Sequence, residues 1–212
     1  MPRRKEPGKV WKLARLIAEP VFKWAFGLKV EGREHLPNEG VYIVAPNHRT
    51  YWDPPIVAAA MYPHEPFFLA KEEVWTETPW FGVFISHLNA IPIRRQSGGK
   101  DAIKMALNIL KEGDYPLVVF PEGTRNREPW KRKLLPLKLG TALIAIRMRV
   151  PVVPAWIVGV PSRWIQWFLR EKPLKVRLGR PIDTRRYADS RKGWRDFTKR
   201  LEVEMLKLAE EP

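Results

Sequence analysis

A histidine and a carboxylate stand five residues apart in Asn47-His48-Arg49-Thr50-Tyr51-Trp52-Asp53. Neutral imidazole is the side chain best suited to take a proton near pH 7. A carboxylate on its second ring nitrogen fixes the tautomer and stabilises the imidazolium that forms. His48 and Asp53 can make such a dyad, base and orienter. The same residues admit a plainer reading, in which Asp53 caps the helix that Pro54 and Pro55 begin and His48 is a polar loop residue. A second segment, Leu117-Val118-Val119-Phe120-Pro121-Glu122-Gly123-Thr124-Arg125, runs an apolar strand into a turn carrying an acid, a glycine and an arginine. Pro121 is expected to stop the strand, Gly123 to free the backbone, and Arg125 to offer a planar fork suited to phosphate. Ala90-Ile91-Pro92-Ile93-Arg94-Arg95 reads as a short strand ending in two cations. Each arginine can equally be a surface residue that snorkels or pairs with a carboxylate.

What the chain lacks narrows the chemistry. It has no cysteine. Its serines, Ser86, Ser97, Ser162 and Ser190, sit in none of the Gly-x-Ser-x-Gly elbows that expose a nucleophile, which argues against a covalent acyl-enzyme. The histidines at 35, 48, 64 and 87 lack zinc spacing, so no metal and no resident cofactor is expected. Ser97-Gly98-Gly99-Lys100 lacks the flanks of a nucleotide-binding loop and reads as the opening of a helix.

These residues need elements to hold them. Strand-like runs near 41–45, 66–70, 90–93, 117–120, 152–158 and 174–178 alternate with helix-like stretches near 54–62, 79–87, 101–112, 139–148 and 191–209. That alternation predicts an α/β fold, a mixed and largely parallel sheet covered by helices. In such sheets ligands gather at the turns beyond the strand C-termini, where His48 and Glu122 fall. Trp194, Phe197, Leu201, Met205 and Leu208 form one helical stripe, best taken as core. Pro79–Ile85 reads as core as well, whereas Trp164–Leu169, flanked by Arg163, Arg170 and Lys172, has the aromatic-plus-cation pattern of a lipid interface.

Taken in order, Asn47–Asp53, Ile91–Arg95, Phe120–Arg125 and Val150-Pro151-Val152-Val153-Pro154 resemble the four blocks of the glycerolipid acyltransferase family. The nearest type is the bacterial enzymes acting on 1-acyl-sn-glycerol 3-phosphate. The resemblance spans residues 47–154, and the order and spacing of the blocks are far more specific than any one of them. It implies that His48 is the general base and Asp53 its orienting partner. It also implies that Arg95, Glu122, Gly123, Thr124, Arg125 and Lys138 line a site for the acceptor phosphate. The implied reaction moves a fatty acyl group from acyl-CoA or acyl carrier protein to the sn-2 hydroxyl of lysophosphatidic acid, giving phosphatidic acid. The chain departs from the pattern at Asn89, where the family often has glycine, at Arg94, and at Asn126, where a serine is usual. Leu137-Lys138-Leu139-Gly140 stands where the family tends to have Phe-Lys-x-Gly.

Composition sets the surroundings. At 212 residues and 45% hydrophobic content, the chain suffices for one well-cored domain, expected over 31–212. A net charge of +15 without any helix-turn-helix, zinc or RNA-binding signature, joined to 10 tryptophans, points to an anionic membrane surface rather than nucleic acid. Residues 1–30 support this. Lys12, Arg15, Glu19 and Lys23 recur at helical spacing opposite an apolar face that includes Trp11, Leu16, Trp24 and Phe26. An amphipathic membrane-surface helix or helix pair is expected there, with core packing as its alternative. The segment lacks an uninterrupted apolar run of about 18 residues and a signal-peptide cleavage site, so peripheral attachment at the cytoplasmic face is expected.

Overall fold

The computed structural model describes residues 26–86, 89–93, 99–113, 115–159 and 174–210; of Trp80, Phe81 and Phe84, only the backbone is described. Arg94 and Arg95, the amphipathic stretch before residue 26 and the aromatic run at 164–169 lie outside the described residues.

Seven strands form one sheet: β1 (Lys29–Glu31), β2 (Ile43–Pro46), β3 (Phe67–Lys71), β4 (Ala90–Ile93), β5 (Leu117–Val118), β6 (Val152–Val158) and β7 (Lys175–Leu178). Their order is β1-β7-β6-β2-β5-β3-β4, and only the β6–β7 pair is antiparallel. The mixed, mostly parallel α/β sheet expected from the alternation is therefore present. Helices α1 (Asp53–Ala60), α2 (Glu73–Glu77), α3 (Pro79–Ser86), α4 (Lys100–Glu112), α5 (Gly140–Met148) and α6 (Arg191–Glu210), with a 3-10 turn at Arg33–His35, complete the described elements.

Strand alternation divides the core in two. Tyr42, Val44, Val153, Ala155 and Ile157 turn to one face and pack with Ile56, Val57 and Met61 of α1 and its exit. Ile43, Ala45, Leu117, Val152 and Trp156 turn to the other, against α4, α5 and α6. Because successive strand residues point to opposite sides, buried strands covered on both faces read as continuous apolar runs, and β2 and β6 do. The α6 stripe is core as expected: Phe197, Leu201, Met205 and Leu208 are buried and Trp194 packs against them. Gly99, at φ 88°, caps the start of α4, the helix opening assigned to that glycine pair.

Helix α2 was not expected from the sequence, and the strands at two places also depart from it. The sheet begins at Lys29, so residue 30 falls inside β1, and Phe26, placed on the lipid-facing stripe, packs partly buried against the first core cluster. Arg177 explains why a three-residue edge strand holds. Its guanidinium is buried and donates through Nε to Glu31 Oε2 at 2.9 Å and through Nη1 to the Leu208 carbonyl at 2.9 Å, joining β1, β7 and α6. The Arg177 hydrogen bond is the main reason the Glu31 carboxyl is held below its ordinary pKa. Strand β5 also ends earlier than expected. Pro121 does not terminate it; pairing as a strand stops at Val118, and Val119 keeps one bond to the Val44 carbonyl at 3.0 Å before the chain leaves the sheet.

Candidate active site

β2 and β5 are parallel neighbours, so their C-terminal ends open on the same edge of the sheet, and His48 and Glu122 follow them there. Asn47 continues the pairing after β2 ends. Its side-chain oxygen accepts the Ile157 N–H at 2.6 Å and its amide donates to the Ile157 carbonyl at 3.3 Å, so one buried side chain substitutes for a strand residue against β6. Asn47→Ala leaves two buried backbone groups of Ile157 without partners and should lower stability by about 3 kcal/mol. Urea unfolding would show this as a lower midpoint at unchanged slope, and a midpoint within error of the parent would refute the role.

His48 Nδ1 lies 2.8 Å from Asp53 Oδ2. That oxygen already accepts the amides of Arg49 at 2.5 Å and Thr50 at 2.8 Å, while Oδ1 accepts the Thr50 hydroxyl at 2.8 Å. An acceptor so placed assigns the proton to Nδ1 and leaves Nε2 with its lone pair, the nitrogen able to take a proton from a substrate. The ring stacks on Phe120 at 4.1 Å between centroids and 25° between planes. Phe120 reaches this place because the chain has left the sheet at Val119.

The capping alternative for Asp53 is not what the structure shows. Trp52 occupies the N-cap position and Asp53 is the first helical residue, followed by Pro54 and Pro55. With Trp52 as the cap, the second and third helical residues are Pro54 and Pro55, which have no N–H for a cap side chain to bond. The Asp53 carboxylate instead turns back onto residues 48–50.

Glu122 is 2% exposed, and both its oxygens are occupied: Oε1 by the His48 N–H at 2.7 Å, Oε2 by the Leu135 N–H at 2.9 Å. Burial pushes its pKa up, and the two amides pull it partly back. Its place is beneath the site, holding the backbone of His48. Asn126, also buried, donates its own N–H to the His48 carbonyl at 2.6 Å and its side-chain amide to the Arg132 carbonyl at 2.7 Å. Its departure from the usual serine thus has a function that a hydroxyl is too short to supply.

Gly123, Thr124, Arg125 and Lys138 form the outer wall. Gly123 has φ 65°, and a Cβ there would stand 2.7 Å from Lys138 Nζ and Cδ, so the lysine lies directly across the glycine. The Lys138 amide donates to the Pro121 carbonyl at 2.8 Å and fixes this crossing. The Arg125 guanidinium sits 3.6 Å above the Tyr51 ring centre, which binds the wall to the His48 turn. Tyr51 was not singled out from the sequence, and neither was Arg49. Burial lowers the Arg49 pKa against the opposing pull of Asp53 and Glu122, and its guanidinium carbon lies 5.6 Å from the Trp156 ring centre.

A family model described as Acyltransferase matches residues 27–158, more than half of the chain. The chain belongs to the acyltransferase family. Relatives include the 1-acyl-sn-glycerol-3-phosphate acyltransferase of Bacillus subtilis (strain 168), 32% identical over 156 residues that cover 74% of each chain. The enzyme of that name from Streptococcus pneumoniae is 32% identical over 183 residues, 84% of this chain and 64% of its own. Among solved structures, the 1-acyl-sn-glycerophosphate (LPA) acyltransferase PlsC from Thermotoga maritima superposes with a TM-score of 0.67 at 26% identity, covering 94% of this chain and 78% of that one. This acyltransferase carries its histidine, carboxylate and cationic wall within the matched segment, on adjacent strand ends.

Proposed function

We propose that this acyltransferase moves a fatty acyl group from an acyl thioester, acyl-CoA or acyl carrier protein, to the sn-2 hydroxyl of 1-acyl-sn-glycerol 3-phosphate. The observation that carries the reading is the His48–Asp53 dyad at 2.8 Å beside a wall that presents Arg125 and Lys138 around Gly123. Nε2 of His48 takes the hydroxyl proton as the oxygen attacks the thioester carbonyl, and the Asp53 carboxylate steadies the imidazolium. When the tetrahedral adduct collapses, the C–S bond breaks and the imidazolium returns the proton to the thiolate. No group on the protein is acylated, in keeping with a chain that has no cysteine and no serine elbow. Arg125 is pre-positioned by its stacking on Tyr51, and with Lys138 it receives the acceptor phosphate. The block resemblance adds Arg95 to the residues proposed for the phosphate. Glu122 positions rather than binds, since its oxygens serve His48 and Leu135. The reaction is set at an anionic membrane surface on the cytoplasmic side, a setting supported by the +15 charge and by a lipid acceptor.

Mass-spectrometric identification of products from a panel of lysolipids, each offered with acyl-CoA and with acyl carrier protein donors, tests the assignment. Phosphatidic acid should dominate; a different lysolipid as the preferred acceptor, or no turnover, would replace it. Arg125→Ala should raise KM for the acceptor about 10- to 100-fold through loss of charge-assisted hydrogen bonds to phosphate. An unchanged acceptor KM would remove Arg125 from phosphate binding.

A further inference from the structure

We propose that the loop at residues 127–133 is a second membrane contact, one that docks the mouth of the active site onto an anionic bilayer. Between residues 123 and 138 the chain carries six cations and one exposed acid, Glu128. At the tip of this loop Trp130 is 75% exposed, with Arg127, Lys131 and Arg132 exposed around it. A lone exposed apolar residue is ordinary on a protein surface. What sets this one apart is that the loop is fixed and still holds the indole outward. Asn126 accepts the Glu128 N–H at 3.2 Å and donates to the Arg132 carbonyl at 2.7 Å, the Lys131 amide closes a turn on the Glu128 carbonyl at 3.0 Å, and Leu134 anchors the return in the core. Both feet of the loop are in the site itself: Asn126 on the His48 carbonyl, Leu135 on Glu122. Tyr51, on which Arg125 stacks, and Trp52 are further exposed aromatics on the adjoining His48 turn. Tryptophan ringed by cations is the pattern that settles at the headgroup level of an anionic leaflet. A lipid acceptor leaving such a leaflet would enter with its phosphate beside Arg125 and Lys138, so the proposal rests on the lipid-acceptor reading for its purpose.

The absence of cysteine allows a single-site probe. Lys131→Cys in the full chain, labelled with an environment-sensitive fluorophore, should shift its emission to the blue on adding phosphatidylglycerol–phosphatidylcholine vesicles and stay unchanged with phosphatidylcholine alone. Adding Trp130→Ala should weaken that response about tenfold. Arg127→Glu with Arg132→Glu should weaken it by at least roughly fivefold per residue. With Lys131 native, the same changes should raise the apparent KM for an acceptor embedded in anionic vesicles while leaving kcat/KM for a short-chain, water-dissolved acceptor unchanged. An emission that ignores anionic vesicles overturns the proposal. So does an emission that responds to an acidic acyl carrier protein and not to vesicles, which would make the loop a donor-docking surface. The fluorescence is read without substrates, so its failure is distinct from failure of the acceptor assignment.

Discussion

Replacing His48 by alanine should lower kcat about 10²- to 10⁴-fold and leave the fold intact. The fold survives because the bonds that join this residue to the scaffold are made by its backbone: the N–H to Glu122 and the carbonyl from Asn126. Alanine keeps both. The imidazole contributes one bond to Asp53 and a stack on Phe120, with 18% of the side chain exposed. The unfolding midpoint should therefore move little while kcat and kcat/KM fall together and acceptor KM stays in place, the signature of a group used in the transition state. Turnover within about tenfold of the parent would place the base elsewhere.

Asp53→Ala should act on stability and rate at once. The alanine leaves the amides of Arg49 and Thr50, the Thr50 hydroxyl and His48 Nδ1 without their acceptor, at a cost of about 3–5 kcal/mol for the buried carboxylate removed. That is a large share of the roughly 5–15 kcal/mol by which a domain is stable. Asp53→Asn separates the two effects. Its amide oxygen can take the Oδ2 position and accept two of the three donors fully, while its NH₂ donates to the Thr50 hydroxyl, which is able to accept. The asparagine variant should recover most of the stability and keep the Nδ1–H tautomer. It should still lose about 10- to 100-fold in kcat, because the imidazolium no longer faces a charge. Chemical unfolding read alongside kcat checks both, and an asparagine variant as active as the parent would confine Asp53 to structure.

The dyad was legible only as one of two readings of the turn, and it was the four blocks in family order that favoured it. The capping alternative for Asp53 is set aside by its bonds: the carboxylate accepts from residues 48–50, and Trp52 takes the cap position. Glu122 was legible as part of a block but not as a strut, since its second partner is an amide 13 residues on and backbone donors carry no side-chain signature. Asn126 read as a mere departure, though its bonds to His48 and Arg132 close the loop. Strand β1 escaped because it has three residues, two of them charged and exposed; a buried arginine 146 positions away from Glu31 secures it.

Glu122 has one more consequence, on the time axis. Its carboxylate ties the amides of His48 and Leu135, and Asn126 ties its own amide to the same histidine. These amides come from two stretches of chain, yet none can be released to solvent without loosening the loop between 123 and 138. They belong to one opening event, so in deuterium they should exchange at a common rate, slower than amides of the loop tip. His48 is thus kept in register by the slowest breathing motion of the loop that is tied to its backbone.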